Sequence, residues 1–172
     1  MDISQRRTKL QARSWFAVVQ TYQECNRRYA RLLKPFGLTI TQFDVLIAIH
    51  RLGDRATPNA IAEELLVTRG NISGVLHRLQ DSDLISTRRH EADGRSFVCV
   101  MTAEGQALMN QARQAASLFI AAQLSPFDEK ALRQTERQMN EMREHLLSVD
   151  PDAIAAEVLA LHGDGHSEGS GI

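Results

Sequence analysis

The chain has 172 residues, of which 43% are apolar and 24% charged, proportions that are ordinary for one globular domain with an appended helical segment. The net charge of −1 hides an uneven distribution, because five of the 21 acidic residues lie in the segment 150–172, which contains no lysine or arginine. The segment 1–149 therefore carries 20 basic and 16 acidic residues, a net charge of +4 that permits a nucleic-acid partner.

The sequence also argues against a membrane protein and a secreted protein. No apolar run approaches the roughly 18 residues that span a bilayer, and the N-terminus lacks the apolar core of a signal peptide. Two cysteines as distant in sequence as Cys25 and Cys99 do not form the disulfide framework of a small secreted domain. We expect a cytoplasmic protein without a membrane partner.

Two helices are predicted at the start of the chain. Apolar residues recur every three or four positions over residues 10–36, which is typical of a long amphipathic helix, and Gly37 is expected to end it. A second helix is predicted from Thr41, where Asp44 would complete a capping box, to Gly53.

The segment 57–102 carries most of the functional information. Thr57 and Pro58 are typical of the first positions of a short helix, and Thr68 is expected to cap the next helix. On the helix that Thr68 caps, apolar residues occupy one side and mostly hydrogen-bonding residues occupy the other. The apolar side consists of Ile72, Val75, Leu76 and Leu79, and the polar side of Arg69, Asn71, Ser73, Gly74, His77 and Arg78.

Two β-rich runs, at 85–89 and 97–101, follow this helix and flank the charged loop 90–95. A polar helix beside an arginine-bearing hairpin fits a DNA major groove and the phosphates that flank it. The sequence therefore predicts a winged helix-turn-helix, with the polar helix as recognition helix and the hairpin as wing.

The rest of the chain is predicted to be helical. Thr102 is expected to cap a helix to about residue 124, and Ser125 and Pro126 to open another. That helix carries a heptad-like stripe of Leu132, Thr135, Met139, Met142 and Leu146. A short helix at 152–161 and a glycine- and serine-rich end at 163–171 complete the chain.

The expected fold is mainly α, with a winged helix-turn-helix lobe (38–101) that includes a two-stranded β-wing. The segments 10–36 and 102–148 have more apolar surface than this lobe can bury, so they are predicted to form a dimerisation bundle. The segment 149–172 is an acidic, partly disordered tail. A homodimer would place two recognition helices about one DNA turn apart, which is the spacing of palindromic half-sites.

Four short motifs resemble those of the MarR family of bacterial transcriptional regulators. They are LTITQFDVL at 38–46, RLQDSDLI at 78–85, DGR at 93–95 and CVMTAEG at 99–105. The chain departs from the family pattern at Asp83, where a glycine is usual, and at Gly74, where many relatives have arginine. The resemblance covers about residues 10–148. It implies a homodimeric repressor that binds a palindromic operator and releases it when a small molecule binds.

The resemblance also implies which residues contact DNA. Arg95 is expected to enter the minor groove, where a narrow groove concentrates negative potential, with Asp93 bracing its guanidinium. Arg88 and Arg89 are expected to contact phosphates, unless one pairs with Glu91 or Asp93, and Arg78 is a candidate for a structural role. The full expected set is Thr68, Arg69, Asn71, Ser73, Gly74, His77, Arg78, Arg88, Arg89, Asp93 and Arg95.

An effector pocket is expected where the dimerisation helices meet the DNA-binding lobe. Its candidate residues are Trp15, Tyr22, Asp44, His50 and Arg51, although aromatic residues at helical spacing are also typical of a core. Many members of the family bind aromatic carboxylates or phenols there, so the resemblance implies an effector of that class.

Two alternative functions remain open: a redox-responsive regulator that uses Cys25 or Cys99, and a winged-helix module for protein interaction. Cys99 alternates with Phe97 and Met101 and is expected to point inward, where a cysteine behaves as a small apolar residue. No metal or cofactor site is expected. The sequence contains no HExxH, GxSxG, P-loop or dinucleotide-binding motif, so the protein is not expected to be an enzyme.

Overall fold

The computed structural model of the protein describes residues 3–89 and 97–163. Within these ranges the chain is mainly helical with one two-stranded antiparallel sheet, which confirms the expected fold class. The elements in chain order are α1 (Ile3–Leu33), α2 (Ile40–Leu52), α3 (Pro58–Glu64), α4 (Arg69–Asp81), β1 (Ile85–Arg89), β2 (Phe97–Met101), α5 (Ala103–Leu124), α6 (Glu129–Ser148) and α7 (Pro151–Gly163).

The chain divides into two compact units, Met1–Ala122 and Gln123–Ile172. The first unit contains α1 to α4, both strands and nearly all of α5, and it holds the buried apolar core. The second unit contains α6 and α7, whose described side chains are all exposed or half-exposed.

Helix α1 begins at Ile3, several residues before the predicted start, and its residues 4–17 are exposed on every side. Only its last turns reach the core, where Leu33 is fully buried and the Tyr29 ring meets the Phe43 ring with centroids 6.2 Å apart. The predicted end is confirmed: a short 3-10 turn leads to Gly37, which adopts the left-handed φ of 68° that favours glycine.

Helix α2 is capped by Thr39, so the predicted capping box between Thr41 and Asp44 is wrong. The Thr39 hydroxyl accepts from the Gln42 N–H at 3.2 Å, and the Gln42 side-chain oxygen accepts from the Thr39 N–H at 2.9 Å. The T-x-x-Q spacing satisfies both backbone donors two residues earlier than expected. The predicted end at Gly53 is confirmed.

The helix-turn-helix forms as predicted from residue 57 onward. The Thr57 hydroxyl accepts from the Ala60 N–H at 3.2 Å and caps α3. Leu66 turns the chain with a left-handed φ of 55°. Thr68 lies at the predicted cap position of α4, but its side chain makes no capping bond, and its carbonyl instead accepts from the Asn71 N–H. The predicted buried side of α4 is confirmed.

Strands β1 and β2 have the predicted bounds, and their register pairs Ile85 with Met101 and Arg89 with Phe97. Cys99 is buried as expected, and its N–H donates to the Ala56 carbonyl at 2.8 Å, which ties the wing to the chain before α3. The Phe97 ring, by contrast, lies at the outer end of the hairpin and is 53% exposed.

The start of α5 joins the wing to the end of α4. As predicted, Thr102 is the cap: its hydroxyl accepts from the Gly105 N–H at 3.0 Å and donates to the Asp83 carbonyl at 2.7 Å. Gly105 packs directly against the backbone of Leu84. Gly105, Met109, Ala112 and Ala116 then form the buried side of the helix.

Helix α6 begins three residues later than predicted. Asp128 is its N-cap, with a carboxylate that accepts from the Ala131 N–H at 2.7 Å, whereas Ser125 and Pro126 precede the helix in a turn. The carboxylate caps the free N–H groups in place of the predicted serine. Helix α7 confirms the predicted short helix and is capped by Asp150.

Among residues 3–89 and 97–163, no single helix is long and apolar enough to cross a membrane, although the consecutive pair α1 and α2, bent by 75°, has the necessary length and composition.

Candidate nucleic-acid interface

The outer side of α4 is a continuous polar surface. All of its predicted DNA-contacting residues are exposed, whereas the opposite side of the same helix is buried in the core. The exposed residues are Arg69, Asn71, Ser73, Gly74, His77 and Arg78. Because the core fixes the buried side, the rotation of α4 about its axis is set, and the polar side faces away from the domain.

Two internal hydrogen bonds order the side chains on this surface. The Ser73 hydroxyl donates to the Arg69 carbonyl at 3.1 Å, which holds the serine against its own helix. Nδ1 of His77 lies 3.0 Å from Oδ2 of Asp81, one turn further along. This contact orients the imidazole and leaves Nε2 as the ring nitrogen available to another molecule.

The side chain of Arg78 lies beside Gly74. A Cβ atom on residue 74 would lie 3.7 Å from Nη1 of Arg78, an ordinary contact distance, so the guanidinium lies along the surface of α4 itself. Arg78 is exposed and stays on the surface predicted to face DNA.

The two arginines at the end of β1 occupy different environments. Nη2 of Arg88 lies 2.6 Å from Oδ1 of Asp54, in the connection between α2 and α3, and Arg88 is half-buried. Arg89 is exposed opposite Phe97. Asp54 was not among the predicted site residues, because it lies 34 positions from Arg88 in the sequence and no local pattern connects them.

The predicted wing residues Asp93 and Arg95 lie outside the described residues, as does Glu91. Arg89 and Phe97 form the last described pair of the hairpin.

The five predicted effector residues occupy separate environments within the single chain. Trp15 and Tyr22 are 59% and 65% exposed on α1. Asp44 is half-buried, and burial raises the pKa of its carboxyl above the usual range. Nη1 of Arg51 lies 3.0 Å from Oε1 of Glu64.

The fifth residue, His50, lines a cavity of about 240 Å³ at the base of the wing. The Arg88–Asp54 pair and the buried Cys99 line the same cavity. Tyr29 interacts with Asp44, one of the predicted effector residues. Burial, and to a smaller extent the charge of Asp44, raise the pKa of the Tyr29 hydroxyl.

The cysteines differ in exposure, and neither forms a disulfide. Cys25 is half-buried on α1, whereas burial raises the pKa of the Cys99 thiol to about 11. In the part of the chain that the structure describes, no group of three or more histidine, cysteine, aspartate or glutamate side chains could hold a metal ion.

The helix-turn-helix, its two-stranded wing and the outward polar side of α4 define a winged helix-turn-helix protein. The model of the MarR family matches residues 36–96. An uncharacterised HTH-type transcriptional regulator of Bacillus cereus is 31% identical over 125 residues, which cover 73% of this chain and 80% of the relative. The chain belongs to the MarR family and is a DNA-binding transcriptional regulator.

Further relatives agree with this assignment. Four HTH-type regulators from Bacillus cereus, Bacillus thuringiensis and Bacillus anthracis are 32% identical over 98 residues, and the chain spans 64% of their length. The organic hydroperoxide resistance transcriptional regulator of Bacillus subtilis is 26% identical over 104 residues, which cover 60% of this chain and 70% of that protein.

Solved structures show the same fold. A MarR family transcription regulator superimposes with a TM-score of 0.77 at 18% identity, covering 86% of this chain and 97% of the other. The S. aureus MepR–DNA complex superimposes with a TM-score of 0.70 at 20% identity, covering 76% of this chain and 94% of the other. The organohalide-sensing regulator RdhR, with 2,4-dichlorophenol bound, superimposes with a TM-score of 0.71 at 17% identity, covering 79% of this chain and 80% of the other.

Proposed function

We propose that the protein is a homodimeric repressor that binds a palindromic operator and releases it when a small aromatic or phenolic molecule binds. The observation that carries this proposal is the exposed polar side of α4, held outward by a fully buried apolar side. The family consists of transcriptional regulators, which are not enzymes.

The apolar surface of the terminal helices supports a dimer. Trp15 and Phe16 on α1 and Leu118 and Ile120 on α5 are each at least half exposed in the single chain. The heptad-like stripe of α6 is exposed as well, apart from the half-buried Leu132. A single folded chain rarely leaves this much apolar surface in contact with water. The segments 10–36 and 102–148 are therefore proposed as the dimerisation region.

DNA recognition is assigned to two parts of the lobe. The polar side of α4 would enter the major groove, where arginine, asparagine and histidine can read base edges. Thr68, at the start of α4, would donate to a phosphate. Arg95 would enter the adjacent minor groove with Asp93 beside it, and Arg89 would contact the backbone. Because Arg88 pairs with Asp54, we assign it to holding the wing in place.

The effector is proposed to act on the spacing of the two lobes. A ligand bound between the dimerisation helices and the lobe would favour a dimer whose recognition helices miss successive half-sites. Trp15, Tyr22, Asp44, His50 and Arg51 are the proposed contacts, completed by the second copy, since all of them except Asp44 are exposed in the single chain. The related structure with 2,4-dichlorophenol supports a phenolic ligand class.

The test begins with a duplex selected from random DNA by the purified protein. We expect an inverted repeat to be enriched, and binding followed by fluorescence anisotropy to weaken steeply between low and moderate salt, since phosphate contacts release counterions. Arg95→Ala should abolish binding, whereas Arg7→Ala, exposed at the start of α1 and outside the proposed dimerisation and DNA-binding segments, should not. Binding that barely responds to salt, or survives Arg95→Ala, would contradict the proposal.

A further inference from the structure

The turn between α3 and α4 carries an apolar side chain that the fold does not bury. Leu66 is 89% exposed, the largest value for any bulky apolar residue in the described ranges, and its neighbour Val67 is 41% exposed. Both residues directly precede Thr68 at the start of α4. We call Leu66 and Val67 the turn tip.

Leucine is also an unfavourable residue for the backbone of this turn. The Leu66 N–H donates to the Glu63 carbonyl at 3.1 Å and the Val67 N–H to the Ala62 carbonyl at 3.0 Å, which is the Schellman pattern that ends a helix. The pattern places Leu66, with a φ of 55°, at the left-handed position where glycine is usual. Among the described residues, one other non-glycine residue, Asp83, has a positive φ, and aspartate tolerates this conformation better than leucine does.

The leucine side chain does not stabilise the single chain in return. A side chain this exposed buries little apolar surface, and glycine or asparagine would adopt the same turn with less strain. The two backbone hydrogen bonds hold the turn, so the turn tip has a fixed position next to α4. A surface outside the chain is therefore expected to contact Leu66.

The location of the turn tip indicates that this surface is DNA. The tip continues directly into the exposed polar side of α4. Apart from the helix backbone and the adjoining residues, a Cβ atom on Gly70 would have Oγ1 of Thr68 as its nearest neighbour, 4.0 Å away, so the first turn of α4 is open to close approach. A protein partner needs about 800 Å² on each side, far more than two side chains provide. A thymine methyl group in the major groove needs one apolar side chain.

We propose that Leu66 contacts the C5-methyl group of a thymine in each operator half-site and thereby selects thymine at that position. The inference rests on the proposed function, in which the polar side of α4 lies in the major groove. Leu66 precedes α4, so its thymine flanks the bases that Arg69 and Asn71 reach. The methyl group is the major-groove feature that distinguishes thymine from the other three bases, and it offers no hydrogen bond for a polar residue to read.

Two substitutions separate the DNA contact from folding, because their effects on the two have opposite signs. Leu66→Gly and Leu66→Asn should each raise the thermal unfolding midpoint by about 2 °C, since both residues accept a left-handed φ. Each should weaken binding to the selected duplex about fourfold for every half-site, which is the value of one buried methylene group. The salt dependence of binding should not change, because no phosphate contact is lost.

Asp83→Gly is the matched control. Asp83 has the same left-handed φ at the other end of α4, about 20 Å from the turn tip. This substitution should raise the midpoint without weakening duplex binding. Unchanged binding by both Leu66 variants would overturn the proposal. A lower midpoint together with weaker binding would also overturn it, because Leu66 would then support the fold.

Deoxyuridine identifies the base, because it lacks only the C5-methyl group of thymine. Each symmetry-related pair of thymines in the selected duplex is replaced by deoxyuridine in turn. We expect one replacement to weaken binding of the original protein by about the same factor as Leu66→Gly, and to have no further effect on the Leu66→Gly variant. Equal sensitivity of the two proteins at every thymine would overturn the proposal and assign the turn tip to another macromolecule.

The outcomes separate this inference from the proposed function. If the protein binds its selected duplex with a steep salt dependence and Arg95→Ala abolishes that binding, but Leu66→Gly binds unchanged, the thymine contact is wrong and the repressor proposal stands. A protein that selects no duplex from random DNA would overturn both.

Discussion

Gly105 and Leu84 are in backbone contact: a Cβ atom on residue 105 would lie 2.8 Å from the carbonyl carbon of Leu84 and closer still to its oxygen. This approach brings the start of α5 against the chain that leaves α4. Two hydrogen bonds lie at the same junction. The Thr102 hydroxyl donates to the Asp83 carbonyl, and the Thr102 N–H donates to the Leu84 carbonyl. The orientation of the recognition helix therefore depends on a residue that has no side chain.

Gly105→Ala is expected to destabilise the protein by at least about 2 kcal/mol, because the added methyl group meets backbone atoms that cannot rotate away. Urea denaturation followed by circular dichroism measures the effect. Gly74→Ala is the matched control on α4, where the added Cβ has an ordinary contact distance. There the higher helix propensity of alanine should stabilise the protein by up to about 1 kcal/mol. Equal effects of the two substitutions would contradict this account.

Asp83→Gly is expected to stabilise the protein by roughly 1 kcal/mol, because Asp83 adopts a left-handed φ of 55° that costs an L-residue energy. Its carboxylate also lies at the negative end of the α4 dipole. Thermal unfolding measures the change, and Asp83→Asn isolates the contribution of charge. Ser82→Gly is the control, since Ser82 has a negative φ and should gain nothing. A lower midpoint for Asp83→Gly would show that the aspartate side chain has a structural role.

Much of the helix-turn-helix could be predicted from the sequence because its signals are local and agree with one another. The buried positions of α4 follow from side-chain periodicity, and both strand bounds follow from the β-rich composition of the runs 85–89 and 97–101. The starts of α2 and α6 were predicted wrongly, because capping residues compete within a few positions: Thr39 and Asp128 cap these helices instead of Thr41 and Ser125.

The contacts that complete the site could not be predicted, because they join residues that are distant in sequence. The Arg88–Asp54 pair depends on how the α2–α3 connection packs beside β1. The left-handed conformation of Asp83 was not predicted either, because glycine is the residue that usually adopts it. Sequence periodicity identifies which residues of an element are buried but not which distant element they contact.

Asp44→Asn is expected to increase the free energy of unfolding at neutral pH. Burial raises the pKa of this carboxyl above its ordinary value of 3.8, so the folded state binds the proton more tightly than the unfolded state. The ionised carboxylate therefore costs stability at pH 7, and this cost disappears as the pH falls below the ordinary value. Urea unfolding at pH 7 and pH 3 measures the difference. A gain that is as large at pH 3 would contradict the burial of charge as its cause.

Cys99 is expected to resist alkylation and peroxide. A thiol pKa of about 11 leaves roughly one thiolate in a thousand at pH 8, and the sulfur is buried as well. In a Cys25→Ser background, iodoacetamide should modify Cys99 only as fast as the protein unfolds. Stability should fall as the pH rises from 9 to 11, because the unfolded state loses this proton first. Rapid modification at pH 8, or peroxide-induced release of DNA that Cys99→Ser abolishes, would favour the redox alternative over a small-molecule effector.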